Sequence, residues 1–384
     1  IMARLEFRAG NVIKGSFLRR NLSYIFRKVE DKTGRLLKIC GTISGSGIVY
    51  VGRRKSAEDL AQLLQSHGIS AEGYHAGMSP AARSAVQERW IGGNTRIIVS
   101  TNAFGMGIDK PDVRLVIHLD MPDSIEAYFQ EAGRAGRDGQ PSWTVMLYNN
   151  ADIKKMERHI AQEFPPKDFC RQIYDELAYF FQLPMGEGYG SSHEFNINLF
   201  CRSFRHYPIG VESALMLLTR AGYITYRDSD DSKSRLMIIV SREDFYYLSS
   251  LTGTSERLLR ALMRRYSGLF SEYVYIEEET LAFDTALTAQ QIYDILIDLT
   301  RQRIINYVPR KNIPRITYEK RRIESKHIVF PKNIYEDRKA VFEKHIKAMN
   351  EYVTQTEICR SRYLLEYFGE KDAPQCGQCD ICVR

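Results

Sequence analysis

The chain has 384 residues, with 54 Lys and Arg against 47 Asp and Glu, a formal net charge of +7 and a sequence pI near 8.9. At 44% hydrophobic and 26% charged it has the composition of a folded chain, not of a disordered or fibrous one, and its length accommodates roughly two to four domains. No apolar run of about 18 residues occurs, which argues against a helical membrane span. The opening IMARLEFRAGN lacks the apolar stretch of a secretory signal. The expectation is a cytoplasmic protein, nucleoid-associated if bacterial. Its positive charge suits a polyanionic partner without requiring one. A first residue of Ile instead of Met reads as a fragment of a longer protein.

In chain order, GIVYV at 47–51 is a short apolar strand. A helix follows, with Ala57, Leu60, Ala61 and Leu64 at helical spacing and Gly68 as its stop. AEGYH at 71–75 reads as a strand, and Ser79 with Pro80 as the cap and first turn of a helix reaching Trp90. RIIVS at 96–100 and VRLVIH at 113–118 are further buried strands, then comes a helix opened by Asp123, then WTVMLYN at 143–149. This alternation predicts an α/β lobe, a parallel sheet with flanking helices, whose ligands gather at the carboxyl ends of the strands.

Between RIIVS and VRLVIH lies STNAFGMGIDKPD, where Gly105 and Gly107 permit close backbone approach and Asp109 supplies a carboxylate. Downstream, Gln130, Gly133, Arg134, Gly136 and Arg137 form a Q-x-x-G-R-x-G-R pattern, expected at a helix start with both guanidiniums on one face. An isolated R-x-x-R is ordinarily a pair of surface arginines. Here the acid-bearing glycine loop precedes it, and two planar, permanently charged forks suit the charge that develops on a transferring phosphoryl group.

These segments resemble motifs V and VI of superfamily 2 helicases, and TNAFGMGIDKPDVRLVIH with SIEAYFQEAGRAGRDG is similar to the RecQ DNA helicases in particular. IVYVGRRKSAEDLA, similar to motif IV, and YHAGMS extend the likeness. The resemblance implies a RecA-like lobe in which Arg54, His75 and Thr101 face the phosphates of single-stranded DNA, while Asp109 and Gly107 face the nucleotide. Arg137 is then an arginine finger, Arg134 its partner and Gln130 a hydrogen-bonding sensor. For His75 taken alone, a satisfied core or surface histidine is the ordinary reading.

A motor of this class also needs G-x-x-x-x-G-K-[ST] and an acidic magnesium motif. Gly47 with Gly52 and Gly10 with Gly15 have the glycine spacing but no lysine after it, and Asp175 and Glu176 sit in the helical DELAYFF. The expectation is that a first lobe, which would bring ATP and Mg2+, lies elsewhere, and that this polypeptide alone does not turn over ATP.

From Pro165 the pattern changes to helix, a glycine-rich MGEGYGSS break, helix, strand, polar turn and strand. Leu218, Thr219, Arg220, Ile224 and Tyr226 recur as Leu299, Thr300, Arg301, Ile305 and Tyr307, all 81 positions later. Two serial winged-helix-like modules are expected, over 165–250 and 251–330. Asp228, Asp230 and Asp231 make the first wing acidic, whereas Arg310 and Lys311 make the second basic, the better candidate for gripping duplex DNA.

A final amphipathic helix, NIYEDRKAVFEKHIKAMNEYV, leads to Cys359, Cys376, Cys379 and Cys382. Four thiolates at this spacing can close a tetrahedron around zinc, a structural role, and the stretch resembles the RecQ zinc subdomain. Cys40, Cys170 and Cys201 read as buried thiols. In most RecQ proteins the zinc subdomain follows motif VI closely, whereas here about two hundred residues intervene, so no winged-helix DNA contact is carried over. The resulting expectation is a lobe at 1–164, the two modules, and a zinc unit at 331–384, together forming the C-terminal part of an ATP-dependent 3′ to 5′ DNA helicase of recombination and repair. A non-catalytic DNA-binding adaptor is the alternative. An RNA helicase lobe fits the general motifs but not the AFGMGIDKPDVR wording.

Overall fold

The computed structural model describes residues 15–104, 109–227, 234–240, 253–309 and 314–383. Gly105, Gly107, Asp228, Asp230, Asp231, Arg310 and Lys311 lie outside the described residues. The chain forms two compact units, one of residues 15–161 with 337–383, the other of 162–336.

The first unit contains β1 (Leu22–Lys28), α1 (Lys32–Thr42), β2 (Ser46–Tyr50), α2 (Arg54–Ser66), β3 (Ala71–Tyr74), α3 (Pro80–Ile91), β4 (Ile97–Ser100), β5 (Val113–His118), α4 (Ile125–Ala132), β6 (Ser142–Tyr148) and α5 (Asn150–Glu163). All its strands run parallel in the order β1-β6-β5-β2-β4-β3. A parallel sheet is covered on both faces, which is why IIVS and VIH are continuously buried instead of alternating. Ile48, Tyr50, Ile98 and Val116 build one core with Val86, Trp90 and Tyr128. Val49, Val99 and Ile117 build the other with Ala57, Ala61 and Leu64 of α2. Ser79 caps α3, its hydroxyl accepting from the Ala82 amide at 3.2 Å ahead of Pro80. The cap of α4 is Ser124, one residue past the expected Asp123, and accepts from the Ala127 amide at 3.1 Å. Cys40, Cys170 and Cys201 are buried free thiols, and desolvation raises all three above the ordinary thiol range, Cys40 to about 11 and Cys170 to about 12.

The second unit holds α6 (Lys167–Phe180), β7 (Ser192–Glu194), α7 (Ile197–Phe204), α8 (Pro208–Arg220), β8 (Ile224–Arg227), β9 (Ser234–Ile238), α9 (Gly253–Arg265), β10 (Val274–Ile276), α10 (Glu278–Thr285), α11 (Ala289–Arg301), β11 (Ile305–Val308) and β12 (Arg315–Tyr318). The 81-residue repeat has a structural counterpart at the helix-to-strand junctions. Thr219 Oγ1 accepts from the Tyr226 amide at 3.1 Å, and Thr300 Oγ1 from the Tyr307 amide at 3.3 Å. Gly222 at φ 71° and Arg303 at φ 57° make the same left-handed turn after their helices.

Strand pairing departs from the serial order the sequence suggests. Instead of β8 with β9 and β11 with β12, β12 lies antiparallel between β7 and β8, and β9 lies antiparallel between β10 and β11. The strand order of the second module therefore begins with β9, and the whole of it occupies the wing position between β8 and β12. Each strand goes where its apolar residues complete a core. Tyr318 of β12 packs against Tyr174 of α6, with ring centroids 6.0 Å apart, while Leu236 and Ile238 of β9 join Leu258, Leu296 and Ile305. The polar linkers carry no such preference.

The chain returns to the first unit through α12 (Glu336–Thr354) and α13 (Arg360–Tyr367), with Ile346, Met349, Tyr352 and Val353 in the lobe's core. Among the described residues no helix is long and apolar enough to cross a membrane.

Thr225 of β8 lies opposite Thr317 of β12. Cross-strand Cβ separations of about 4.5–5.5 Å come close to what a disulfide needs. The double variant Thr225→Cys/Thr317→Cys should cross-link under mild oxidation, read as faster migration on a non-reducing gel. Serial hairpins would leave it linear.

Candidate functional site

The sequence-predicted residues fall into two groups at opposite edges of the parallel sheet. His75 and Thr101 directly follow the carboxyl ends of β3 and β4, and Arg54 opens α2 four residues after the end of β2. Arg54 is exposed, whereas His75 and Thr101 are 7% and 8% exposed. His75 Nε2 pairs with Glu58 Oε1 at 2.8 Å, and Gly77 brings Arg54 and His75 together: a Cβ there would lie 3.2 Å from His75 Nδ1 and 3.3 Å from Arg54 Nη1. His75 thus has the carboxylate partner of a structural histidine and a place at the candidate edge.

Asp109 and the arginine turn lie at the other edge, by the amino ends of β5 and β6. Strands of four to seven residues at about 3.3 Å each separate the two edges by roughly 13–23 Å. Thr101 lies at one edge and Pro111, whose carbonyl accepts from the Asp138 amide at 3.2 Å, at the other.

The expectation of two arginines on one helix face is corrected here. Helix α4 ends at Ala132 with Gly133 as its C-cap, so Arg134 and Arg137 belong to the turn that follows. The glycines of the motif cause this. The Gly136 backbone is left-handed, at φ 58°, and a Cβ on it would lie 2.4 Å from Asn21 Nδ2 and 2.7 Å from Ser142 Oγ. The turn is pinned from outside: the Gly136 amide donates to Val113 O at 2.8 Å. Arg19 donates to the carbonyls of Gly133 at 3.2 Å and of Ala135 and Gly136 at 2.9 Å, and Asn21 Nδ2 donates to Gly136 O at 2.7 Å and Gln140 O at 2.9 Å.

The two guanidiniums differ in exposure, though both act on the Tyr50 hydroxyl. Arg134 is buried beside the Tyr50 hydroxyl, which donates to Phe104 O at 3.2 Å, and burial holds that phenol well above its usual range. Arg137 stays partly open, with Nη1 2.6 Å from Asp109 Oδ1. Gln130 is exposed on α4. Nearby, His118 is fully buried, pairs with Glu131 at 2.9 Å and stacks on Tyr50 at 5.1 Å between ring centroids.

The four cysteines form a second constellation in the same unit. The Sγ atoms of Cys359, Cys376, Cys379 and Cys382 all lie within 4.8 Å of one another. A tetrahedral zinc site with Zn–S near 2.3 Å needs edges of about 3.8 Å, so the donor set fits. Cys359 caps the amino end of α13 rather than lying within it. Burial pushes its thiol up, but the amides of Arg362 and Cys376 and the neighbouring thiols outweigh this and bring it down to about 7, whereas burial pushes Cys376 up to about 12 and Cys382 upward as well, so one thiol of the set is poised as the thiolate a metal requires. These four residues hold a structural Zn2+.

What the sequence reasoning missed is how this unit is fastened to the lobe. Arg360 and Asp380, each next to a zinc cysteine, form a bidentate pair at 3.0 and 3.2 Å with side chains only 2% and 1% exposed. The Arg360 guanidinium lies 4.3 Å over the Phe26 ring and donates to Tyr352 O. Gln378 Nε2 donates to Arg20 O and Leu22 O at 2.7 and 3.0 Å, and the Asp380 amide donates to Tyr24 O at 3.1 Å, covering the outer edge of β1. The signal available was position: a charged residue directly after a cysteine ligand, in both CR and CD. Asp380→Ala should strand a buried guanidinium and lower stability by about 3–5 kcal/mol, measured by chemical denaturation of the zinc-loaded chain.

Three family models match the chain. Residues 31–139 match the helicase conserved C-terminal domain, 236–309 the RecQ helicase winged-helix domain of Bacteroidota, and 317–383 the RecQ zinc-binding domain. The second match begins within β9 and ends just after β11, which agrees with the strand pairing. The putative ATP-dependent DNA helicase Q1 of Caenorhabditis elegans is 47% identical over 188 residues, 47% of this chain and 28% of that protein. The ATP-dependent DNA helicase RecQ of Pasteurella multocida is 38% identical over 177 residues, 45% of this chain and 27% of that one. The matched stretch thus spans about a quarter of the length of these relatives. Among solved structures, the Escherichia coli DEAD-box protein SrmB, bound to regulator of ribonuclease activity A, matches 36% of this chain and 84% of its own at 26% identity and a TM-score of 0.32. Helicase C-terminal domain, RecQ winged-helix domain and RecQ zinc-binding domain thus follow one another along the chain, which matches the C-terminal region of RecQ-family superfamily 2 helicases.

Proposed function

We propose that this chain supplies the second motor lobe of an ATP-dependent 3′ to 5′ DNA helicase of recombination and repair, acting with a P-loop lobe that binds ATP and Mg2+. The observation that carries the reading is the arginine turn. A Gly136 that admits no side chain, two carbonyl clamps from Arg19 and Asn21, and an exposed guanidinium paired with Asp109 together hold a cation at the surface, where a phosphate can reach it. In this reading Arg137 is the finger that meets the γ-phosphate when the lobes close, and Asp109, near Gly107, holds it until then and faces the nucleotide. Arg134, against Tyr50, links the turn to the 101–112 segment, and Gln130 senses the nucleotide from α4. At the far edge Arg54, His75 and Thr101 face single-stranded DNA, and Arg310 with Lys311 contact duplex. The sheet thereby separates the fuel-facing edge from the track-facing edge. The protein is placed in the cytoplasm, on the nucleoid if bacterial.

A non-catalytic adaptor would need none of this. A scaffold gains nothing from a left-handed glycine turn that leaves one arginine at a lobe edge.

Two measurements test the proposal. In the helicase carrying both lobes, Arg137→Ala should lower DNA-stimulated ATP turnover by about 10³-fold or more while single-strand affinity stays near wild type. Unchanged turnover overturns the assignment. The 384-residue chain alone should show no DNA-stimulated ATP hydrolysis, and a zinc-independent, Arg137-dependent signal from it would refute the need for a second lobe.

A further inference from the structure

In the module formed by β9 to β11, charge is segregated between two helices. Helix α11, which precedes β11 as α8 precedes β8, is at the position from which a winged helix ordinarily enters a groove. Its surface is acidic: Asp294 and Asp298 are exposed, Asp298 pairs only loosely with Arg301 at 3.8 Å, and Gln290 is bonded to Asp294 at 2.9 Å. A phosphate backbone would be repelled there. Helix α9 has the opposite character. Arg257, Arg260 and Arg264, at spacings of three and four, share one exposed face, with Arg265 beside them. They line an open groove of about 760 Å³ closed on one side by Asp284.

Two of the four arginines are committed within the protein, Arg260 to Glu256 and Arg265 to Asp284, each at 2.7 Å. These carboxylates hold the stripe in place. Arg257 and Arg264 have no carboxylate partner among the described residues, and they lie seven positions apart, about 10 Å along the helix. That length of duplex carries about six phosphate charges. Arginine forks without an internal partner, on a rigid helix, with the competing face acidic, fit a polyphosphate backbone.

We propose that this module binds the phosphate backbone of DNA through the α9 arginine face, with Arg257 and Arg264 as the contacting residues, and not through the α11 face. The inference rests on the reading of the chain as part of a DNA helicase and adds to it a surface on a different module from the lobe.

The test uses the whole 384-residue chain, zinc-loaded, and a fluorescently labelled 20-base-pair duplex, with anisotropy followed across a salt series. Arg257→Glu/Arg264→Glu should weaken binding at least about tenfold and reduce the slope of log affinity against log salt by about 2, one for each lost phosphate contact. Arg257→Lys/Arg264→Lys, which keeps the charge, should recover most of the affinity. Asp298→Ala on α11 should leave it unchanged or slightly raised. Both positions are exposed, and matching thermal melts of the variants exclude misfolding. Duplex affinity and salt slope unchanged in the Glu variant overturn the proposal and leave the stripe to an acidic protein partner. A wild-type chain that binds no DNA at all refutes the helicase reading itself, and the two failures are thereby distinguished.

Discussion

The Arg360 guanidinium and the Asp380 carboxylate meet with both side chains almost wholly out of water, and this contact fixes how the zinc unit and the motor lobe share one core. A buried ion pair is a costly way to join two elements, since both charges must be desolvated and the attraction recovers that only with good geometry and further hydrogen bonds. Here those requirements are met. The pair is bidentate, the guanidinium stacks over Phe26 and a third donor reaches Tyr352 O. Zinc held by the four cysteines would help set where both backbones lie, since each partner directly follows a cysteine ligand.

From that contact a continuous set of bonds runs to the arginine turn. The zinc knuckle holds β1 through Gln378 and Asp380. Immediately before β1, Arg19 and Asn21 hold the carbonyls of Gly133, Ala135, Gly136 and Gln140. A second path runs through side chains, where Phe17 and Phe368 both pack on Phe129 of α4 and Tyr367 donates to Glu126 at 2.9 Å. The zinc unit and the turn are therefore joined, through residues 17–24 and α4, by an unbroken chain of contacts.

How much of this was legible depended on the distance over which each feature is encoded. Five of the lobe's six strands and the helices α2, α3 and α4 announce themselves within windows of five to fifteen residues, whereas β1, α1 and α5 went unassigned; the four cysteines stand out by spacing alone. The Ser79–Pro80 start and the Thr219 and Thr300 junctions were likewise local. The orientation of Arg134 and Arg137 was misread because helix spacing was extended across Gly133 and Gly136, and the reason Gly136 must be glycine lies in Asn21 and Ser142, one of them more than a hundred residues upstream. The Arg19 clamp joins residues 114 to 117 positions apart and leaves no periodic trace. Strand exchange between β8, β9, β11 and β12 was illegible for the same reason: the turns between them do not choose partners, and the cores they complete are assembled from distant helices.

That exchange also accounts for the gap between the arginine motif and the cysteines. A segment can be inserted into a fold at little cost where its two ends enter side by side, since closing the host's chain then needs no extra ordering. Arg227 of β8 and Arg315 of β12 are ladder partners, so the host module presents adjacent ends. Arg235 of β9 and Val308 of β11 are partners too, so the inserted module offers adjacent ends of its own. The same logic applies one level up. Helices α5 and α12 leave and re-enter the first unit as neighbours, with His159 against Phe342 at 5.4 Å, and the lobe's core continues from Met156 to Ile346 as though nothing intervened. With paired ends at both levels, the zinc unit stays joined to the arginine turn through the residues leading into β1, whatever the length of the chain between them.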